Sequence, residues 1–78
     1  MSEYKPVACE MHSLYELAVM HHTAALVRWR HDGSVREARL LPLDVETRNR
    51  EEFLIAETAE HETVHIRLDR ILDFSPER

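Results

Sequence analysis

The chain holds one glycine, one cysteine and three prolines in 78 residues, and each scarcity removes a class of protein. With Gly33 as the single glycine, a phosphate-cradling glycine-rich loop has no backbone to be built from. Cys9 alone cannot close an internal disulfide, so a disulfide-stapled secreted scaffold is excluded and a reducing compartment suits the lone thiol. No apolar run approaches the roughly 18 residues of a transmembrane helix. Met1-Ser2-Glu3-Tyr4-Lys5-Pro6 has neither the basic nor the apolar region of a signal peptide, and a cytoplasmic location is expected. Positive charge is scarce too. Ten Lys and Arg face fifteen Asp and Glu, for a net charge of −5, and all but one of the ten are Arg. A protein that tracks phosphates usually carries a basic surplus, because neutralising phosphates supplies most of its affinity. An acidic small domain fits a partner with a basic surface better.

What is present is one domain, residues 1–78, with 44% hydrophobic and 32% charged residues, ordinary for a globular protein. A chain this short buries only about 60% of its unfolded surface, so its core must be compact. Residues 1–8 read as an extended arm, with Pro6 holding Lys5 away from helix. Residues 9–22 read as a helix, on which Met11, Leu14, Tyr15 and Ala18 recur at three- and four-residue spacing. Ser13-Leu14-Tyr15-Glu16 matches a capping box, which starts the regular helix at Ser13. The opposite, polar face carries His12, Ser13, Glu16 and Met20, with Glu10 at its edge.

Beyond His22 the period changes to two. Ala25, Val27 and Trp29 alternate with Leu26, Arg28 and Arg30; Asp32-Gly33 signals a hairpin; Val35 to Leu41 returns as the partner strand. Pro42 and the polar run from Asp44 to Glu51 are expected to interrupt it. Phe53 to Glu57, Thr63 to Arg67 and Ile71 to Phe74 complete five strands. The expected fold is therefore α+β, mostly β: an N-terminal helix followed by a five-stranded, strongly bent antiparallel sheet over residues 24–74. Closure into a small barrel would avoid two long exposed edges, and the helix would cover an open end. Leu68-Asp69-Arg70 has the length of a single 3₁₀ turn between two nearly perpendicular last strands. Leu14, Ala18, Val27, Leu54, Val64, Ile66 and Ile71 are the expected core.

Several stretches resemble the Rho-binding antiterminators, also called Rof. They are Tyr4-x-Pro6-Val7-x-Cys9, Glu16-Leu17-Ala18, Asp32-Gly33, Asp44, Glu52-Phe53-Leu54 and Arg67-Leu68-Asp69-Arg70-Ile71-x-x-Phe74, in order along nearly the whole chain. The resemblance implies a helix plus an Sm-like bent sheet and a non-enzymatic role. It implies binding to the transcription termination factor Rho near its primary RNA-binding site, and hence suppression of Rho-dependent termination. Glu10 and Glu16 fall on acidic positions of the family, whereas Met11 and Ser13 fall where a relative has Asp. The implied partner-binding residues are Glu10, Ser13 and Glu16 on the helix, with Arg48 and Asn49 from the loop side.

Other chemistries are weaker. Six histidines (His12, His21, His22, His31, His61 and His65) invite a metal, but adjacent His21 and His22 point about 100° apart on a helix and Cys9 is the lone thiol. Cys9 beside a histidine lacks any glycine-rich oxyanion element, so no catalytic residue is assigned. The alternative reading is an Sm-like RNA-binding module able to oligomerise, with Trp29, Arg28, Arg30, Arg36 and Arg39 as a basic aromatic surface. A third reading is an assembly subunit with no regulatory role. The preferred expectation is contact with Rho alone, by a protein monomeric when free, without cofactor, metal, membrane or direct nucleic-acid binding. EDTA and thiol reductants are then expected to leave thermal stability unchanged; a melting shift of several degrees on adding EDTA would restore the metal reading.

Overall fold

Helix α1 spans Cys9–Met20 and is followed by β1 (Ala25–His31), β2 (Ser34–Arg48), β3 (Glu51–Glu57), β4 (Thr63–Arg67), a 3₁₀ turn (Leu68–Arg70) and β5 (Ile71–Pro76). These elements come from a computed structural model that describes residues 9–77; the expected arm, residues 1–8, lies outside the described residues. The fold is α+β and mostly β, one helix followed by a five-stranded antiparallel sheet. The helix starts a turn before the capping-box serine, so Ser13 is interior and exposed rather than a cap. Side-chain bonds from His12 to Glu16 and to Glu52 of β3 tie this early turn to the sheet and favour extending the helix through it. The helix ends two residues sooner than expected. The Thr23 amide donates to the Ala18 carbonyl and the His22 amide to the Val19 carbonyl, with His22 at φ +52 in the left-handed position usually held by glycine.

Two hairpins have two-residue turns in which both central residues take positive φ: Asp32-Gly33 (+48, +79) and Asn49-Arg50 (+51, +65). This is the turn type whose twist matches that of the flanking strands. Between them β2 runs without a break, where a stop after Leu41 was expected. Its first half pairs with β1 as far as Leu40, and its second half pairs with β3 from Leu41 onward. Pro42 sits at this change of partner, and a bulge between Pro42 and Asp44 absorbs the extra residue Leu43. A proline lacks a ladder donor and is tolerated at such a bulge, and the bulge bends the strand.

The strand order is β4-β3-β2-β1-β5. β5 pairs with the far side of β1, Val27 opposite Phe74, with an irregularity beside Trp29. The expected closure into a barrel is not made by a ladder: β4 and β5 are the two edges of the sheet, and among the described residues only the 3₁₀ turn joins them. That turn sends the chain from β4 at one edge to β5 at the other, and the Ile71 amide closes it on the Leu68 carbonyl.

Arg67, the last residue of β4, holds this corner. Its guanidinium grips Asp69 through two parallel bonds of 2.8 and 2.7 Å, and a third of 3.0 Å reaches Glu51 at the start of β3. The Arg67 and Asp69 side chains are only 11% and 9% exposed. A planar fork matched to a carboxylate fixes direction as well as distance.

The core lies between α1 and the concave side of the sheet. Tyr15 and Ala18 from the helix, Val27 and Trp29 from β1, Leu40, Leu54, Ile66, Leu68 and Phe74 form one buried cluster. Tyr15 meets Phe74 edge-on at 4.8 Å and 81°, docking the helix on β5. Of the expected core, Ala18, Val27, Leu54 and Ile66 are buried; Leu14, Val64 and Ile71 are half-buried at its margin.

Arg67→Met is expected to destabilise the fold by about 1.5–3 kcal/mol, because it removes the charge-assisted bonds that Arg67 makes to Asp69 and Glu51 at a part-buried corner. Urea unfolding followed by circular dichroism measures this, with Arg39→Met as the comparison, since the Arg39–Glu77 pair lies on the surface. Equal losses from the two variants would refute the corner's role.

Candidate functional site

The polar face of α1 rises from the sheet as an exposed ridge. Glu10, Ser13 and Glu16 are all exposed on it. Below the ridge His12, a third exposed, directs Nδ1 at the Glu16 carboxylate, 2.7 Å away, and Nε2 at the Glu52 carboxylate. Glu52 lies opposite Thr47 across the β2–β3 ladder, on the same side as buried Leu54. The histidine thus fastens the first turns of the helix to the turn end of the second hairpin.

Partial burial pulls the His12 pKa down, but hydrogen bonds and negative charge from Glu16 and Glu52 outweigh it, so the imidazole titrates above its ordinary range. On the other side of the core, burial pushes the Tyr15 hydroxyl up. At the end of β5 the exposed Arg39 guanidinium makes two bonds, 2.6 and 2.9 Å, to Glu77 and holds its carboxyl below the usual range.

The structure brings together three of the five expected contact residues and separates the others. Arg48 opposes Glu51, so by the alternation of the strand it stands on the convex side of the hairpin, away from α1. There its guanidinium lies 3.2 Å from Glu46, beside a cavity of about 30 Å³ lined by Phe53, Ile55 and His65. Asn49 is at the turn tip, exposed, between the two faces. His12 and Glu52 were not among the expected site residues. Spacing of four on the helix makes the His12–Glu16 pair visible in the sequence, but nothing local announces a partner 40 residues away.

The basic aromatic surface considered for RNA does not assemble. Trp29 is 8% exposed and points into the core, whereas Arg28 and Arg30 alternate to the other side of β1. Arg28 faces Glu37 at 3.9 Å, and Arg39 is held by Glu77. Stacking of bases on Trp29 would need the core opened. Among the described residues no group of three or more His, Cys, Asp or Glu side chains converges to hold a metal ion, and no helix is long and apolar enough to cross a membrane.

No protein-family model and no curated protein matches the chain. Among solved structures it is similar to proteasome accessory factor B/C (PafBC) of Arthrobacter aurescens, with a TM-score of 0.77 over 97% of this chain. The identity is 20%, and the chain spans 13% of the length of that protein. The likeness is one of fold: a helix and a five-stranded sheet of this kind form one part of a larger molecule.

A raised imidazole pKa means that His12 binds its proton more tightly in the folded protein than in the unfolded chain. Its stabilising effect is therefore full below about pH 6.5 and fades as pH rises through the folded-state value. Thermal melts between about pH 5.5 and pH 8.5 are expected to show this loss in the wild type and a flatter profile in His12→Gln. Parallel profiles would show that His12 does not clamp the helix.

Proposed function

We propose that the protein regulates transcription termination by binding the termination factor Rho at or near its primary RNA-binding site and inhibiting Rho-dependent termination. The observation that carries this reading is the exposed ridge of Glu10, Ser13 and Glu16, fastened to the sheet by His12 on a chain of net charge −5. A groove that holds RNA phosphates is lined by basic side chains, and the two carboxylates of Glu10 and Glu16 offer those side chains competing acceptors. The resemblance to Rho-binding antiterminators over nearly the whole chain supplies the identity of the partner. Burial of Trp29 argues against the alternative of an RNA-binding module.

The action is by contact in the cytoplasm, without catalysis or cofactor. The ridge blocks RNA loading, and its long-range attraction speeds encounter and weakens with salt. Because Arg48 stands on the far side of the hairpin, the helix carries the main contact, and Asn49 at the turn tip is the hairpin residue best placed to join it.

Reversing Glu16 to Lys is expected to leave the fold intact and to weaken Rho binding by about 1–3 kcal/mol where the contact is partly desolvated. The double change Glu10→Lys with Glu16→Lys is expected to abolish relief of termination in a transcription assay with purified Rho. A folded double variant that still suppresses termination fully would exclude the ridge as the contact surface.

A further inference from the structure

His12 lies between two carboxylates from different elements, Glu16 on α1 and Glu52 on β3, with one ring nitrogen on each. Thr47, opposite Glu52 on β2, is uncharged, and among the described residues Glu16 and Glu52 are the charged groups facing the ring. An imidazole carrying both protons donates to both carboxylates; a neutral one has a single N–H and must turn a lone pair toward one of them. The two carboxylates differ in what they lose. Glu16 is 58% exposed and can exchange the histidine for water, whereas Glu52 is 27% exposed. When one bond must break, the bond to Glu16 is the cheaper to give up.

We infer that His12 is an internal competitor for the basic side chains of the partner, its imidazolium occupying the Glu16 carboxylate until a guanidinium or ammonium displaces it and the proton leaves. This rests on the reading of the α1 ridge as the contact surface, and it adds regulation: the ridge is partly neutralised at low pH and fully charged at higher pH. The remaining His12–Glu52 bond keeps the helix seated, so the ridge changes charge without changing place. Linkage makes the effect reciprocal. The factor by which a bound cation weakens the His12 proton equals the factor by which that proton weakens the cation.

Two measurements on the full chain test this. In the first, the His12 ring resonances are titrated by NMR with and without a hexa-arginine peptide. The midpoint is expected to fall by about half a pH unit, a roughly threefold loss of proton affinity, and the same peptide should leave the midpoint unmoved in Glu16→Gln. In the second, Rho affinity is measured at about pH 6 and about pH 8 at constant ionic strength. The wild type is expected to bind about threefold or more tightly at the higher pH, and His12→Gln, shown folded by circular dichroism, to bind with a flatter profile. Failure of the peptide to bind, or a midpoint unmoved by it, overturns the competition; so do matching pH profiles for wild type and His12→Gln. Absence of Rho binding by either form at any pH overturns the termination reading instead, and the peptide titration still decides the role of His12.

Discussion

The fold turns on one guanidinium. Arg67 joins the end of β4 to the 3₁₀ turn through Asp69 and to the start of β3 through Glu51, three points that a bent sheet must keep in fixed relation. The corner lacks glycine, and the turn residues have no special conformation of their own to enforce its angle. Direction comes from the fork: two parallel bonds to one carboxylate leave little freedom about the corner, and partial burial of both side chains limits their exchange with water. With the corner set, β5 is delivered to β1, and the sheet acquires a concave side that the helix can fill.

The placement of α1 follows from that concavity. Tyr15 reaches the ring of Phe74 only because β5 lies beside β1, and Ala18 leaves room for the helix to approach closely. The helix then has one side in the core and the other carrying its carboxylates outward, while His12 at the boundary reaches the turn end of the second hairpin. Core packing and surface charge are therefore properties of the same twelve-residue element. The single bulge in β2 serves the same arrangement, turning the second hairpin so that Glu52 lies under the start of the helix.

Much of this was legible in the sequence, and the exceptions have physical causes. Alternation through Val64, Ile66 and Leu68, interrupted at Asp69-Arg70 and resumed at Ile71, marks the corner because a strand period cannot survive a 3₁₀ turn. Asp32-Gly33 marks its hairpin because few residue pairs accept two positive φ values in succession. The continuity of β2 was hidden by Pro42, which reads as a stop when its surroundings are unknown and is harmless where a strand changes partners. The start of the helix at residue 9 was legible, but the capping-box match at Ser13 was misleading, because the turn before it is held by a tertiary bond that no local signal reports. For the candidate site, the exposed carboxylates on the helix were legible from periodicity alone. The opposite orientation of Arg48 required the register of the hairpin, and the role of Glu52 required the bend.

The pairing of β1 with β5 also orders events in time. The three hairpin connections join neighbours in sequence, and hairpins form within about 1–10 μs once their strands exist. The β1–β5 ladder closes a loop that includes almost the entire sheet, so its entropy must be overcome after the local pairs have formed. During synthesis at about 5–20 residues per second, β1 and the Tyr15 face of the helix remain uncovered for seconds after the first hairpin has emerged. In that interval β1 is an open edge of apolar residues, the kind that recruits a neighbouring chain. Arg28 and Arg30 alternate with those residues along it. Their charge makes a second chain a poorer match for that edge until β5 arrives to take it.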